Sequence, residues 1–277
     1  MIQPGTAIAN QGHLTVGQDF ILEADRLDLQ GQLVAGRDLT LHAHNTVQIR
    51  DSALVPFVAQ ATGNLTIQGN QSVDIFALNH PASGLWAGGN LVLRSQHPIV
   101  GDAHYNALGN VSFEQLNGQP GILFSPNDPV IRSLGDVMLG GYTGSSLHIF
   151  AGGSVEILGT VDITGADPIN GVVETVTLSN GTTVNINGQT TPTLDVRAGL
   201  EPAAVGMPGL TGTGTFVAPA GITAVPSSAD IVIDTIFTPA DVEGFVFLSN
   251  QYRPNPNLSG DIVVDTIDAS ILTGAAN

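Results

Sequence analysis

One short phrase recurs along most of this chain: a glycine, then Asn or Asp, then an apolar-x-apolar triplet. It reads Gly36-Arg37-Asp38-Leu39-Thr40-Leu41, Gly63-Asn64-Leu65-Thr66-Ile67 and Gly88-Gly89-Asn90-Leu91-Val92-Leu93. It continues as Gly109-Asn110-Val111-Ser112-Phe113, Gly135-Asp136-Val137-Met138-Leu139 and Gly153-Ser154-Val155-Glu156-Ile157. Each copy predicts a turn feeding a short strand. Glycine tolerates a φ > 0 corner, Asn or Asp bonds to nearby backbone, and the triplet points two apolar side chains to one face.

The first apolar residues after the turns are Phe20, Leu39, Leu65, Leu91, Val111, Val137 and Val155, separated by 19, 26, 26, 20, 26 and 18 residues. A period of about 20–30 residues marks a solenoid, in which each repeat buries its face only against its neighbours. A second apolar set follows each turn: Val47-Gln48-Ile49, Val73-Asp74-Ile75 and Ile99-Val100. A third is expected at Leu54-Val55 with Phe57-Val58, Leu78, Tyr105 and Ile122-Leu123-Phe124. Three short faces per repeat predict an all-β, right-handed parallel β-helix. Helical periodicity is missing, and β-branched residues are frequent at the apolar positions. Leu39, Leu65, Leu91, Val111, Val137 and Val155 should stack as an internal ladder, and Asp38, Asn64, Asn90, Asn110 and Asp136 as a polar corner.

The expected organisation is β-helix repeats over 1–199, a Pro/Gly-rich loop or linker over 200–228, and further repeats over 229–277. Within the first unit, 166–192 reads as an inserted hairpin: Val172–Leu178 and Thr182–Ile186 alternate about Ser179-Asn180-Gly181, a tight-turn signal. Near the end, Asp230-Ile231-Val232-Ile233-Asp234-Thr235-Ile236 returns as Asp261-Ile262-Val263-Val264-Asp265-Thr266-Ile267, offset by 31.

Of the 277 residues, 42% are hydrophobic and only 11% charged, which excludes a disordered chain. The net charge is −17 and the seven basic residues are all Arg. So acidic a chain, with no basic patch, argues against nucleic-acid binding and against docking on anionic lipid. No apolar run approaches the ~20 residues of a membrane helix, so membrane insertion is not expected. Cysteine is absent, which removes disulfide and thiolate chemistry. Residues 1–20 lack the basic start and apolar run of a signal peptide. Export is therefore expected as part of a larger protein.

The run from Ile21-Leu22-Glu23-Ala24 through Gly36-Arg37-Asp38-Leu39-Thr40-Leu41 and Val47-Gln48-Ile49-Arg50-Asp51-Ser52 resembles cyanobacterial haemagglutinin-like exoproteins. Gly63-Asn64-Leu65-Thr66-Ile67-Gln68-Gly69-Asn70, Leu78-Asn79-His80-Pro81 and Gly101-Asp102-Ala103-His104 extend the likeness. The resemblance covers roughly 17–165, and 229–277 is similar to the repeats that follow in such proteins. These are filamentous-haemagglutinin-type adhesins of the two-partner secretion route. The resemblance implies a β-helix shaft, an extracellular or cell-surface location, and a role in adhesion. The family's amino-terminal secretion domain is expected to be missing from this stretch.

No motif points to a catalytic residue or a bound organic cofactor, and the expectation is a non-catalytic shaft whose insertion and loop meet surface glycans or other cell-surface proteins. The open ends of the solenoid predict self-association. Two alternatives stand beside it. A carbohydrate-active β-helix enzyme would need converging acids, for which Asp102, Asp128 and Asp136 are the candidates. A calcium-stiffened module would use Asp230 and Asp234 stacked on Asp261 and Asp265, since like charges so close repel unless a cation lies between them. His42 and His44 straddle Ala43 and face outward together, but their strand offers no acidic partner for a metal. Trp86 and Tyr142 are read as core or corner packing before sugar platforms.

Overall fold

A computed structural model describes residues 5–178, 180–208, 225–239 and 243–268. The protein is all-β with almost no helix: a 14-stranded sheet, a 9-stranded sheet and one two-stranded hairpin. Apart from that hairpin, every strand pair among the described residues is parallel. This arrangement is compatible with the expected parallel solenoid.

Three columns of in-register strands run through the molecule. The first is the one spelled out by the recurring phrase: Phe20, Leu39, Leu65, Leu91, Val111, Val137 and Val155 pair in succession, and Ile231 and Ile262 extend the line. The second carries Leu27, Val47 and Val73, then Ile99, Leu123, Tyr142, Val161 and Ile236. Long strands such as Phe20–Leu29, Leu39–Arg50 and Val155–Ile163 belong to both columns and merge them into the larger sheet. The third column is the smaller sheet: Leu33, Ala59, Leu85, Tyr105, Ile131, Ile149, Val196 and Leu248.

Nearly all of these side chains are fully buried and form one continuous apolar cluster. Alternation sets this, because successive strand residues point to opposite faces and a slip of one would expose the whole row. Each buried Leu or Ile contributes about 1.5–3 kcal/mol. The outer partners Thr40, Thr66, Val92, Ser112, Met138 and Glu156 form the expected outward row. Tyr105 and Tyr142 lie wholly inside, and their hydroxyls donate to Gly101 O (2.8 Å) and Ser145 O (2.9 Å). Gly101 occupies the rung position that Ile75 fills one repeat earlier, and a Cβ there would lie 2.3 Å from the Tyr105 hydroxyl.

Two expectations are corrected. Leu54 is 90% exposed, and Ile122-Leu123-Phe124 lies in the second column rather than the third. Tyr105 and Val58 do lie in the third column as expected, and its other positions are filled by Leu33, Ala59, Leu85 and Ile131, whose small or isolated apolar residues are hard to see beside the longer runs. The glycines of the recurring phrase also do not adopt φ > 0; the positive-φ glycines among the described residues lie elsewhere. Crowding is the reason they are glycine. A Cβ on Gly63, Gly89, Gly109 or Gly153 would stand 2.1–2.5 Å from the side-chain oxygen of Asp38, Asn64, Asn90 or Asp136 in the preceding rung.

That oxygen has a defined task. At each corner it accepts the backbone N–H of the next corner residue. The chain of bonds runs Asp38 to Asn64 (2.7 Å), Asn64 to Asn90 (2.9 Å), Asn90 to Asn110 (2.9 Å) and Asn110 to Asp136 (2.9 Å). It continues through Ser154 (2.8 Å) and Asp230 (3.0 Å) to Asp261 (2.8 Å). The polar corner is thus a continuous side-chain ladder that satisfies one backbone donor per rung.

Candidate functional site

The inserted hairpin forms as expected, Val173–Thr177 pairing antiparallel with Thr183–Asn187. Its base is seated on the outer face of the third column, where the covering segments bury a polar assembly that the sequence did not announce. Asp128 and His148 are both fully buried, with His148 Nδ1 2.8 Å from Asp128 Oδ1. The other Asp128 oxygen accepts the Val172 N–H at 3.0 Å, and the Asp128 N–H donates to Asp167 Oδ2 at 3.0 Å. Burial pushes the Asp167 carboxyl up, but the amides of Asn170, Ile169 and Asp128 outweigh it and hold the group below the usual carboxylate range. The insertion's entry is therefore pinned by two aspartates, and its exit by backbone bonds between Gly188 and both Asp167 and Val172.

Arg197 ties the hairpin itself. Its guanidinium makes a two-bond fork with buried Asp195 (3.0 and 2.7 Å) and reaches Glu174 of the hairpin at 2.8 Å. Phe150 and Tyr252 each lie 4.8 Å from it and Phe247 5.7 Å, so aromatic faces enclose the cation. Leu200, Val205 and Val172 pack over Val130 and Phe150 beside it. One turn of helix, Pro202–Val205, starts the segment expected as a loop; residues 209–224 of that segment lie outside the described residues. Above the anchored base, Ile169 is 82% and Val173 60% exposed. Asp195-Val196-Arg197 reads in sequence as two solvated charges flanking a core residue. Only the covering segments, far away in the chain, bury them.

The acids proposed for glycan cleavage are each engaged by neighbouring groups. Asp102 accepts the Ser125 hydroxyl and the Asn127 N–H, Asp128 holds the insertion, and Asp136 is a ladder rung. His148 Nε2 has no hydrogen-bond partner and is closed from solvent. A groove of about 400 Å³ runs along the outer side of the first column, lined by Val92, Ser112, Met138, Glu156 and the corner ladder. Of its carboxylates, Glu114 is held by Arg94 at 2.5 Å and Asp136 accepts the Ser154 N–H.

Neither a family model, nor a curated protein, nor a solved structure matches this chain.

The two terminal repeats stack at the expected offset of 31, Ile231 on Ile262 and Thr235 on Thr266. Asp230 and Asp261 are then successive corner rungs, and the Asp230 carboxylate accepts the Asp261 N–H. Asp234 and Asp265 are exposed neighbours beside a hollow of about 150 Å³. Among the described residues, no three His, Cys, Asp or Glu side chains form a preassembled metal cage. Tyr142 packs in the core, and Trp86 is nearly buried against Val58 with its indole N–H unpartnered.

Proposed function

We infer that this chain is a length of right-handed parallel β-helix that serves as a non-catalytic shaft in a filamentous-haemagglutinin-like surface protein. The observation that carries this reading is the anchoring of the insertion. Asp128, Asp167, Asp195 and Arg197 spend the protein's most buried polar chemistry on fixing one hairpin to a rigid wall. A loop on a rigid scaffold is the usual seat of binding. Thr175, Thr177, Thr183 and Asn185 line its strands, suiting hydroxyl-rich glycans or a protein surface outside the cell.

Self-association fits the Ile262–Asp268 strand, where Ile262, Val263 and Ile267 are about half exposed and which, among the described residues, is paired on one side only. The test is binding of the fluorescent chain to glycan arrays and bacterial surfaces, beside variants carrying Thr175→Ala and Thr183→Ala. Binding lost in the variants at unchanged melting temperature supports display by the hairpin. Binding untouched by them overturns it.

A further inference from the structure

His42 and His44 stand two residues apart on the Leu39–Arg50 strand, so both side chains leave the same face, with ring centroids 5.1 Å apart. Their own strand supplies no acid, but the preceding rung does. Glu23 is the register partner of His42, and its Oε1 lies 3.3 Å from His44 Nε2 and 3.7 Å from His42 Nδ1. Two imidazole nitrogens converge on one carboxylate oxygen.

We propose that Glu23, His42 and His44 bind a divalent transition-metal ion of the Zn²⁺ class, clasping the first long strand to the second. Metal–ligand bonds of about 2.0–2.2 Å in a tetrahedral site set ligand atoms about 3.4 Å apart. The 3.3 Å separation already meets that figure. The 3.7 Å one exceeds it by a few tenths of an ångström, which a small rotation of the half-exposed Glu23 side chain closes. The set is not preassembled, the His42–Glu23 separation being still long.

A second observation points the same way. His42 Nε2 lies 3.4 Å from Asn70 Oδ1 and 3.5 Å from the Gln68 amide nitrogen, which itself donates to that Asn70 oxygen at 2.8 Å. In the tautomer that carries the proton on Nε2, donation to Asn70 leaves the Nδ1 lone pair facing Glu23. Metal-bound histidines are held by this kind of outer hydrogen bond. Gln68 is the register partner of His42 in the following rung, so three successive strands contribute ligand, ligands and support. Imidazole nitrogens favour Zn²⁺, Cu²⁺ or Ni²⁺ over Ca²⁺, and three protein ligands leave a position for water. The competing explanation is a surface contact of the two imidazoles with Glu23 that binds no Zn²⁺.

The experiment is calorimetric titration of the full, untagged chain with ZnCl₂ and separately with CaCl₂, with Cu²⁺ electron paramagnetic resonance as a second readout. One Zn²⁺ per chain, no heat from Ca²⁺ competing with it, and nitrogen hyperfine structure on Cu²⁺ are expected. His44→Ala and Glu23→Gln should each weaken Zn²⁺ affinity at least tenfold. Asn70→Ala should weaken it about tenfold without removing a ligand, while His97→Ala, at an exposed site elsewhere, should not change it. Absence of a 1:1 site, or equal affinity in His44→Ala and Glu23→Gln, would overturn the proposal. So would equal losses in His97→Ala.

Discussion

Asn64 Oδ1 accepts the backbone N–H of Asn90 at 2.9 Å, and a Cβ on the intervening Gly89 would stand 2.5 Å from that same oxygen. One contact thus explains two letters of the recurring phrase. The amide oxygen needs a corner N–H above it, and the residue just before that corner must be bare.

This relationship is tested by substitution. Asn64→Ala leaves the Asn90 N–H without its acceptor and should destabilise the chain by about 1–3 kcal/mol in urea unfolding. Gly89→Ala should do the same through the clash. In the double variant the costs should be clearly less than additive, because the atom that is struck has been removed. Strict additivity would refute the account.

Gly101→Ala puts a methyl against the Tyr105 hydroxyl and Leu123, and overpacking of this kind costs about 1–3 kcal/mol. Tyr105→Phe in the same chain should recover part of the loss. The readout is the denaturant midpoint of the two single variants and the double.

Arg197→Met leaves the buried Asp195 carboxylate without its fork and the hairpin without its tie. A loss of about 3–5 kcal/mol is expected, with faster hydrogen exchange over 172–188. Asp195→Leu combined with Arg197→Met should regain stability while the hairpin stays loose, since the Glu174 contact is still absent. Hydrogen exchange that remains slow over 172–188 in Arg197→Met would show that the tie is unnecessary.

His104 gives the pH test. Burial, and then the nearby Arg132 guanidinium, pull its imidazole down to about 4. An unfolded histidine titrates near 6.5, so between these values the unfolded chain takes up a proton that the folded one refuses. Stability from this group is complete above about pH 6.5 and is lost as pH falls towards 4, at up to about 1.4 kcal/mol per pH unit. His104→Gln should flatten that portion of the curve. An identical slope in the variant would assign the effect to other groups.

Much of this architecture was legible because its signals are local and repeat. Leu39, Leu65 and Leu91 each follow a turn residue, so their stacking could be read from spacing, and the offset of 31 placed Ile231 on Ile262. The third column was only partly legible: Val58 and Tyr105 marked two of its strands, while Ala59 and Ala107 gave little signal beside apolar runs outside the core, such as Leu54-Val55. Arg197, Asp195 and His148 were missed for another reason: alternation labels them outward, and burial comes from segments distant in sequence. The same non-locality hid Glu23 from His42 and His44, which it meets only once the rungs are stacked.

The corner ladder runs in one sense throughout, each N–H pointing back to the oxygen of the rung before it. Mechanically this makes a cable laid across the strands. Tension along the stack loads that cable in parallel with the three columns of backbone bonds, so many weak links must fail together. A force that lifts the terminal strand sideways meets only one rung at a time. The molecule should therefore resist stretching far better than peeling, a useful asymmetry for anything that must stand out from a surface in flow.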